Sequence, residues 1–263
     1  MRAFERLEPC MGTVFRFAGN TALAEVELGV VLQRAANTLH KADAIFSLYK
    51  PESPLSRLAR GETSVKELPP VVDQVWGLCE QWQKKTDGWF SAFTPQNTFD
   101  PSGLVKTWAA QYAADTLLVA GITDFTLNAG GDVLISDGQS VDENWRIGIS
   151  KSVSIASDQA GVITVLDLKG TEYRAVATSG SAERGEHIWN PRAGKLQDEV
   201  AQVTVIARDL VEADVWATAA FAEGARAIDR LNRQDNIEAL FVMRDESLQA
   251  TDGLVSLLAI PKH

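Results

Sequence analysis

The segment EADVWATAAF presents a carboxylate and a hydroxyl at helical spacing. Asp214 and Thr218 are four residues apart, so on a helix they share one face. Such hard oxygen ligands suit Mg²⁺, which completes its octahedron with waters, substrate phosphates or backbone carbonyls. Two ligands alone do not define a metal site. Taken by itself, the segment fits better a helix with Asp214 in its favourable first turn.

A single histidine lies in a loop rich in turn-forming residues, GEHIWNPRAGK. Of the three histidines in the chain, His40 lies in a helical run and His263 is the last residue. Imidazole exchanges protons near neutral pH, so His187 is the natural proton carrier of the set. A purely structural histidine in a tight turn is the alternative, and the loop alone favours it.

The segment DPSGLVK contains residue types that could bind a phosphate group. Asp100 and Ser102 can cap a helix whose first turn contains Lys106. The free N–H groups of a helix start attract anions, and the lysine adds a full positive charge beside them. A capped helix with a solvated lysine explains the same residues without any ligand.

Two other glycine-containing loops follow predicted strands. In NAGGD, Gly130 and Gly131 let the backbone approach a ligand closely, although adjacent glycines between strands also signal a plain hairpin turn. In ATSGS, hydroxyls and free amides at a strand end suit phosphate oxygens. Together with a lysine, an oxygen pair for Mg²⁺ and a loop histidine, these are the parts of a site that cleaves a pyrophosphate.

These loops must be positioned by a mixture of helices and strands. Helical spacing of apolar residues predicts helices over 21–45, in PPVVDQVWGLCEQWQKKTDG, in FDPSGLVKTWAAQYAADTLLVAG and, as a pair or one bent helix, in VEADVWATAAFAEGARAIDRLN. Strands are predicted in MGTVFRFAG, FTLNAGGDVLIS, NWRIGIS, GVITVLDL, YRAVATSG, VTVIARD and IEALFVMRD, and FSLYKPESPLSRLARGE reads as a connection. Without regular βαβ alternation, this order predicts an α+β fold of mainly antiparallel strands packed with helices, residues 1–263 forming a single domain.

Composition narrows the class of protein. The chain of 263 residues has 45% hydrophobic residues and a net charge of −10, which disfavours nucleic acid and anionic lipid as partners. No stretch approaches the length of a membrane span. The two cysteines, Cys10 and Cys79, make no disulfide framework, and Cys79 is expected to be a buried, inert thiol. The N-terminus lacks an apolar signal core, so a cytoplasmic protein is expected, or an extracytoplasmic one if the N-terminus was trimmed.

The same segments, with MGTVFRF and FSLYKPESPLSRL, resemble the ApbE family, the FAD:protein FMN transferases. The family pattern runs Met-Gly-Thr, a Ser-rich loop with a tyrosine, Asp-x-Ser-Gly-x-x-Lys, Asn-x-Gly-Gly-Asp, Thr-Ser-Gly before His-Ile-x-Asp-Pro-x-x-Gly, and Ala-Asp-x-x-x-Thr. A counterpart of each piece occurs in order between Met11 and Gly224, with Asn190 at the Asp position of His-Ile-x-Asp-Pro. No single piece is specific, but the ordered set is very hard to obtain by chance.

The resemblance implies an enzyme that binds FAD and Mg²⁺ and moves FMN onto a Thr or Ser hydroxyl of an acceptor protein, releasing AMP. It implies Asp214 and Thr218 as metal ligands, with Gly103 and Ala217 at the same ion. It implies His187 or Asp214 as the group that takes the hydroxyl proton, and we favour His187. The residues implied to contact FAD are Met11, Tyr49, Asp100, Lys106, Gly130, Gly131, Asp132, Ser179, Gly180 and Ile188.

The chain departs from the family pattern at three residues, and its connections from Phe90 to Asp100 and from Ser181 to Glu186 are shorter than in most members, which makes it a compact-loop member. Asn190 replaces the usual Asp of His-Ile-x-Asp-Pro, Ala193 replaces the Thr before Gly194, and Thr107 stands where a Gly is common. Two alternatives to the transferase remain open: a Mg²⁺-dependent FAD pyrophosphatase giving FMN and AMP, and a protein that binds FAD without chemistry. Storage of FAD needs neither metal nor base. The two candidate metal ligands, Asp214 and Thr218, and the histidine, His187, therefore argue against a protein that only binds FAD.

Overall fold

The computed structural model describes residues 1–94, 96–138, 146–151, 161–180, 188, 190–192 and 197–259. The chain divides into two compact units, Met1–Gly130 and Gly131–His263. Each unit contains antiparallel strands packed with helices, which confirms the predicted α+β class. That residues 1–263 act as one domain stays a prediction.

Within its described residues, unit 1 contains three antiparallel strands and four α-helices. Its strands lie in the order β1-β2-β3, with bounds Arg2–Cys10, Thr13–Thr21 and Asp124–Ala129. Its helices are α1, α2, α3 and α4, with bounds Glu25–Phe46, Pro54–Ala59, Pro70–Lys85 and Ser102–Val119, and a 3₁₀ turn covers Val65–Glu67.

The core of unit 1 lies between its strands and the helices α1 and α4. Alternate residues of β2 and β3 point to one side of the sheet, and Phe15, Phe17 and Leu127 on that side are fully buried. Helix α1 packs on α4 and β1, and α4 packs on β3. The start of α4, which carries the DPSG segment, is therefore anchored by a packed helix.

Unit 2 contains the remaining strands and helices. The strands β4, β7, β8, β9 and β10 lie side by side in that order, with bounds Asp132–Ile135, Ala175–Gly180, Val200–Ala207, Glu238–Met243 and Leu248–Ala250. The strands β5 and β6, Arg146–Ser150 and Val162–Asp167, form a separate antiparallel pair. Helices α5 and α6 cover Leu210–Glu223 and Ala227–Leu231, and a 3₁₀ turn covers Leu254–Leu257.

The five-stranded sheet of unit 2 has different neighbours on its two faces. Helix α5 packs on β7 and β8. On the other face, Val176 and Ile206 join an apolar cluster with Ile147 and Leu166 of the β5–β6 pair. Side chains alternate between the two faces of a strand. One residue of β7 therefore faces α5 and the next faces the β5–β6 pair.

Most predicted elements are confirmed, with boundary shifts of a few residues. The predicted helix pair near the C-terminus is α5 and α6, separated at Gly224. Among the described strands and α-helices, β1, β10 and the short helix α2 were missed; α2 lies inside the segment predicted to be a connection. Among the described residues, no helix combines the length and the apolar character needed to cross a bilayer.

Candidate functional site

Asp214 lies inside helix α5 and not in its first turn. The helix begins at Leu210 and is capped by Asp209, whose Oδ1 accepts a hydrogen bond of 2.9 Å from the backbone N–H of Glu212. Asp214 is therefore one turn into the helix, where only 4% of its surface is exposed. The explanation of Asp214 as a helix-start carboxylate is thus wrong, and a buried carboxylate needs strong compensating interactions.

Thr218 lies one turn beyond Asp214 on the same face of α5, as the spacing predicted. Its Oγ1 is 3.2 Å from Ser179 Oγ on β7. Ala217, between them in sequence, is fully buried. The structure therefore brings three predicted site residues together in unit 2: Asp214, Thr218 and Ser179.

The donor set around Asp214 fits Mg²⁺ and not a softer metal. Carboxylate and hydroxyl oxygens are hard ligands. Among the residues that the structure describes, no group of three or more His, Cys, Asp or Glu could hold a metal ion. An ion at Asp214 and Thr218 would therefore need its other ligands from carbonyls, water or phosphate oxygens. Gly103, predicted at the same ion, lies near the start of α4 in unit 1, and its assignment stays a prediction.

Asp132 orders the strand that carries the Thr-Ser-Gly segment. Strand β4 pairs with β7 through Val133 and Leu134, which lie opposite Val176 and Ala175. Beyond these pairs, Asp132 Oδ1 accepts a hydrogen bond of 3.0 Å from the N–H of Thr178. The carboxylate is 1% exposed, so it extends the ladder from within the core.

A second polar network lies on the opposite face of β7. Thr178 Oγ1 is 2.9 Å from Thr204 Oγ1 on β8. Gln202 Nε2 donates to Thr204 Oγ1 at 3.4 Å and to the carbonyl of Ser150 on β5 at 3.1 Å. This network ties β7 to β8 and to the β5–β6 pair.

The Thr-Ser-Gly segment is less open than the sequence suggested. Strand β7 stays paired with β8 up to Gly180, which lies opposite Gln202. The expectation of free amides at this strand end is therefore wrong for those that face β8. A Cβ at Gly180 would lie 2.9 Å from the carbonyl oxygen of Ala201, so the close approach of β8 already requires glycine there.

In unit 1, the Met-Gly-Thr turn and the first glycine of NAGGD are neighbours. Met11 and Gly12 join β1 to β2 with φ values of 52° and 71°. Gly130 has a φ of 67°, and a Cβ there would lie 2.3 Å from Thr13 Oγ1. Gly131 has a φ of 106°. Both glycines are thus required by the turn itself, as the hairpin alternative proposed.

The start of α4 is arranged much as predicted. Asp100 Oδ1 accepts a hydrogen bond of 3.0 Å from the N–H of Ser102, the first residue of the helix. Ser102 itself is not a cap. Lys106 is half-buried and lies one turn after Ser102, one residue beyond the predicted first turn. Its ammonium is nonetheless carried by the N-terminal end of the helix, where an anion is favoured.

An aromatic cluster packs around the chain segment that precedes Asp100. The ring of Trp76 on α3 lies 4.3 Å from that of Phe99 and 5.2 Å from that of Phe93, measured between centroids. The N–H of Asp100 donates to the carbonyl of Ala92 at 2.7 Å. The segment before α4 is thus a packed turn, which fixes the backbone from which the Asp100 carboxylate projects.

Tyr49, a predicted FAD contact, is 96% exposed. It lies in the Ser-rich loop, where the carbonyl of Ser47 accepts hydrogen bonds from Ser53 Oγ at 2.6 Å and Ser56 Oγ at 3.1 Å. Ser53 also caps α2. The serines therefore shape the loop, and the tyrosine ring is left available for stacking.

Two of the departures from the family pattern have local explanations. Asn190 Oδ1 accepts a hydrogen bond of 2.9 Å from the N–H of Arg192, a role that an Asp oxygen would fill equally well. Thr107 is fully buried, and its hydroxyl donates to the carbonyl of Leu104 at 3.2 Å.

Ile188, a predicted FAD contact, is half-buried. His187 and Ala193 lie outside the described residues.

A family model described as the ApbE family matches residues 92–241. The chain belongs to the ApbE family. The matched range contains the DPSG, NAGGD and Thr-Ser-Gly segments and helix α5. The predicted membership is therefore confirmed.

A relative from Klebsiella pneumoniae, named FAD:protein FMN transferase, is 28% identical over 59% of this chain and 48% of its own length. One from Escherichia coli K12, with the same name, is 26% identical over 57% of this chain and 44% of its own length. The chain thus matches about half the length of these curated relatives.

A solved structure of the flavin transferase ApbE from Vibrio cholerae is similar to this chain, with a TM-score of 0.77 at 20% identity. The match covers 98% of this chain and 99% of the other. At this identity the likeness shows the fold, and it agrees with the α+β class.

Sequence reasoning missed Thr13, Thr204 and Gln202. Thr13 is part of the Met-Gly-Thr motif, but its closeness to Gly130 depends on the pairing of β2 with β3. Thr204 and Gln202 alternate along β8 and so share a face, a local signal that was present. That this face would meet Thr178 depends on strand register, which the segment itself does not carry.

Proposed function

We propose that this protein is a Mg²⁺-dependent FAD:protein FMN transferase, which moves FMN from FAD to a Thr or Ser hydroxyl of an acceptor protein and releases AMP. One observation carries the proposal: a carboxylate, Asp214, is buried inside helix α5 with the Thr218 hydroxyl one turn away on the same face. Neither the helix start nor apolar packing accounts for this pair. The names of the relatives point to the same reaction.

Asp214 and Thr218 would hold the metal ion through their side-chain oxygens. A bound Mg²⁺ supplies charge neutralisation for the pyrophosphate and for the leaving AMP. Asp214 is suited to the task because its carboxylate is already desolvated and fixed on a helix, so little reorganisation is needed when charge develops.

Lys106 would contact the phosphates of FAD. Its ammonium and the N-terminal N–H groups of α4 both favour negative charge, and the hydrogen bond from Ser102 N–H fixes the neighbouring Asp100. Tyr49 and Met11 would contact the ring systems, the exposed tyrosine by stacking.

The incoming hydroxyl must lose its proton as the bond to phosphorus forms. His187 is the proposed acceptor because imidazole can hold a proton near neutral pH. Asp214 is the alternative. A carboxylate that holds a cation is a weaker base than a free one, which favours the histidine.

The test follows the mass of an acceptor domain that presents a threonine, incubated with FAD, Mg²⁺ and the purified protein. We expect the acceptor to gain one FMN phosphoester and AMP to appear in equal amount. EDTA and Asp214→Asn should each abolish both products. Asp229→Asn, which removes an exposed carboxylate from α6, is the matched control and should retain full activity.

The outcomes separate the competing functions. AMP and FMN released without any mass gain would favour a pyrophosphatase, because water would then have replaced the hydroxyl. FAD bound but unchanged would favour a binding protein. His187→Ala should reduce transfer by about 100-fold or more if the histidine is the base, and full activity would exclude that role.

A further inference from the structure

Thr218 differs from every other threonine in the described helices. A helical threonine commonly donates its hydroxyl to a carbonyl three or four residues back in its own helix. Four threonines in or directly capping the described helices do so: Thr38, Thr86, Thr107 and Thr116. The Thr218 hydroxyl instead meets Ser179 Oγ, 3.2 Å away on a different element.

Ser179 is built into the sheet so that it can reach Thr218. It is 7% exposed and lies opposite Val203 in the pairing of β7 with β8. Its neighbour Thr178 points to the other face, where it meets Thr204. Of the hydroxyls in the Thr-Ser-Gly segment that the structure describes, that of Ser179 is therefore the one that faces α5.

The direction of this hydrogen bond follows from the chemistry of a metal ligand. A threonine hydroxyl has one hydrogen and two lone pairs. When a lone pair of Thr218 faces a cation, the hydrogen must point elsewhere and needs an acceptor. A cation also withdraws electrons from the hydroxyl, which makes it a stronger donor. Ser179 Oγ is placed to accept that hydrogen.

We propose that Ser179 is a positioning residue, which holds the Thr218 hydroxyl so that a lone pair faces Mg²⁺. This inference rests on the proposed function, since it takes Asp214 and Thr218 as the metal ligands. Without Ser179, the hydroxyl would turn back to the carbonyl of Asp214 or Val215 in its own helix. Its hydrogen would then point to a carbonyl of its own helix, and its lone pairs would no longer be held toward the ion.

The first measurement is Mg²⁺ binding by calorimetry, without FAD or acceptor. Ser179→Ala should weaken Mg²⁺ binding by about 10- to 100-fold, the usual effect of losing a residue that orients a metal ligand. Ser179→Thr keeps the hydroxyl and should restore most of the affinity. Thr204→Val removes a comparable hydroxyl contact on the opposite face of the sheet and should leave Mg²⁺ affinity unchanged.

The second measurement is the metal-free crystal structure of Ser179→Ala. We expect Thr218 Oγ1 within hydrogen-bond distance of the carbonyl of Asp214 or Val215. A hydroxyl that keeps its original rotamer would overturn the positioning role even if the variant binds metal weakly.

The failures of the two proposals can be told apart. Wild-type protein that does not bind Mg²⁺, or Asp214→Asn that binds it as tightly as wild type, would overturn the metal assignment itself and with it the role of Ser179. Wild type and Ser179→Ala with equal affinity, together with a loss of binding in Asp214→Asn, would leave the metal site standing and reject Ser179 alone.

Discussion

At the scale of single residues, glycines in this chain differ sharply in what constrains them. Gly130 combines a φ of 67° with the hydroxyl of Thr13 lying where a Cβ would be. Gly77, inside α3, has open space around the position of a Cβ. The same substitution should therefore have opposite effects at the two positions.

We predict that Gly130→Ala lowers the free energy of unfolding by about 2 kcal/mol or more, since left-handed backbone and a steric clash act together. Gly77→Ala should raise the same free energy by about 0.5–1 kcal/mol, because alanine is the better helix former. Urea unfolding followed by circular dichroism measures both. A stable Gly130→Ala would show that the turn can relax without cost.

Asp214 shows why its surroundings could be predicted only in part from the sequence. Its helix and its partner Thr218 followed from local spacing. Its depth in the helix did not, although Asp209 followed by Glu212 is a capping pattern that marks the earlier start. The link from Thr218 to Ser179 depends on how α5 packs on the sheet, which no local pattern specifies.

At the scale of elements, strand β1 is joined to helix α1 by charged side chains. His40 Nε2 lies 2.7 Å from Glu8 Oε1, and Arg6 donates to both Glu8 and Gln33. Burial raises the pKa of Glu8, but hydrogen bonds from His40 and Arg6 outweigh it and hold this pKa below its ordinary value of 4.5. These contacts also explain why β1 was missed: two of its inward positions are charged, which hides the alternation of a strand.

We predict that Glu8→Gln is less stable than wild type at neutral pH, and that the difference shrinks in acid. A carboxyl with a depressed pKa in the folded state contributes stability above pH 4.5 and loses it as pH falls through the folded value. Urea unfolding at pH 7 and at about pH 3.5 measures this.

Glu5→Gln is the matched control for the Glu8 variant. Glu5 lies on the exposed side of the same strand and pairs with Arg16, a surface contact that contributes little. Equal losses in Glu5→Gln and Glu8→Gln at neutral pH would contradict a special role for the contacts of Glu8 with His40 and Arg6.

At the scale of the whole molecule, the net charge of −10 makes copies of the protein repel one another at neutral pH. The isoelectric point is about 4.9, close to the ordinary pKa of a glutamate. We predict that turbidity of a concentrated sample is greatest near pH 4.9 and clears on both sides, because net repulsion vanishes there. A turbidity maximum far from this pH would show that association is driven by something other than lost repulsion. Acid unfolding should accordingly be measured in dilute protein.

Both native thiols are shielded. Burial, with the Asp43 carboxylate adding to it, raises the pKa of Cys10 to about 11. Burial, with Asp100 and Glu80 adding to it, raises that of Cys79 to about 12. Maleimides and similar reagents attack thiolates, so neither residue should couple at neutral pH. A cysteine placed at an exposed position, such as Val119→Cys, would then carry a fluorophore or spin label selectively, without first preparing a cysteine-free background.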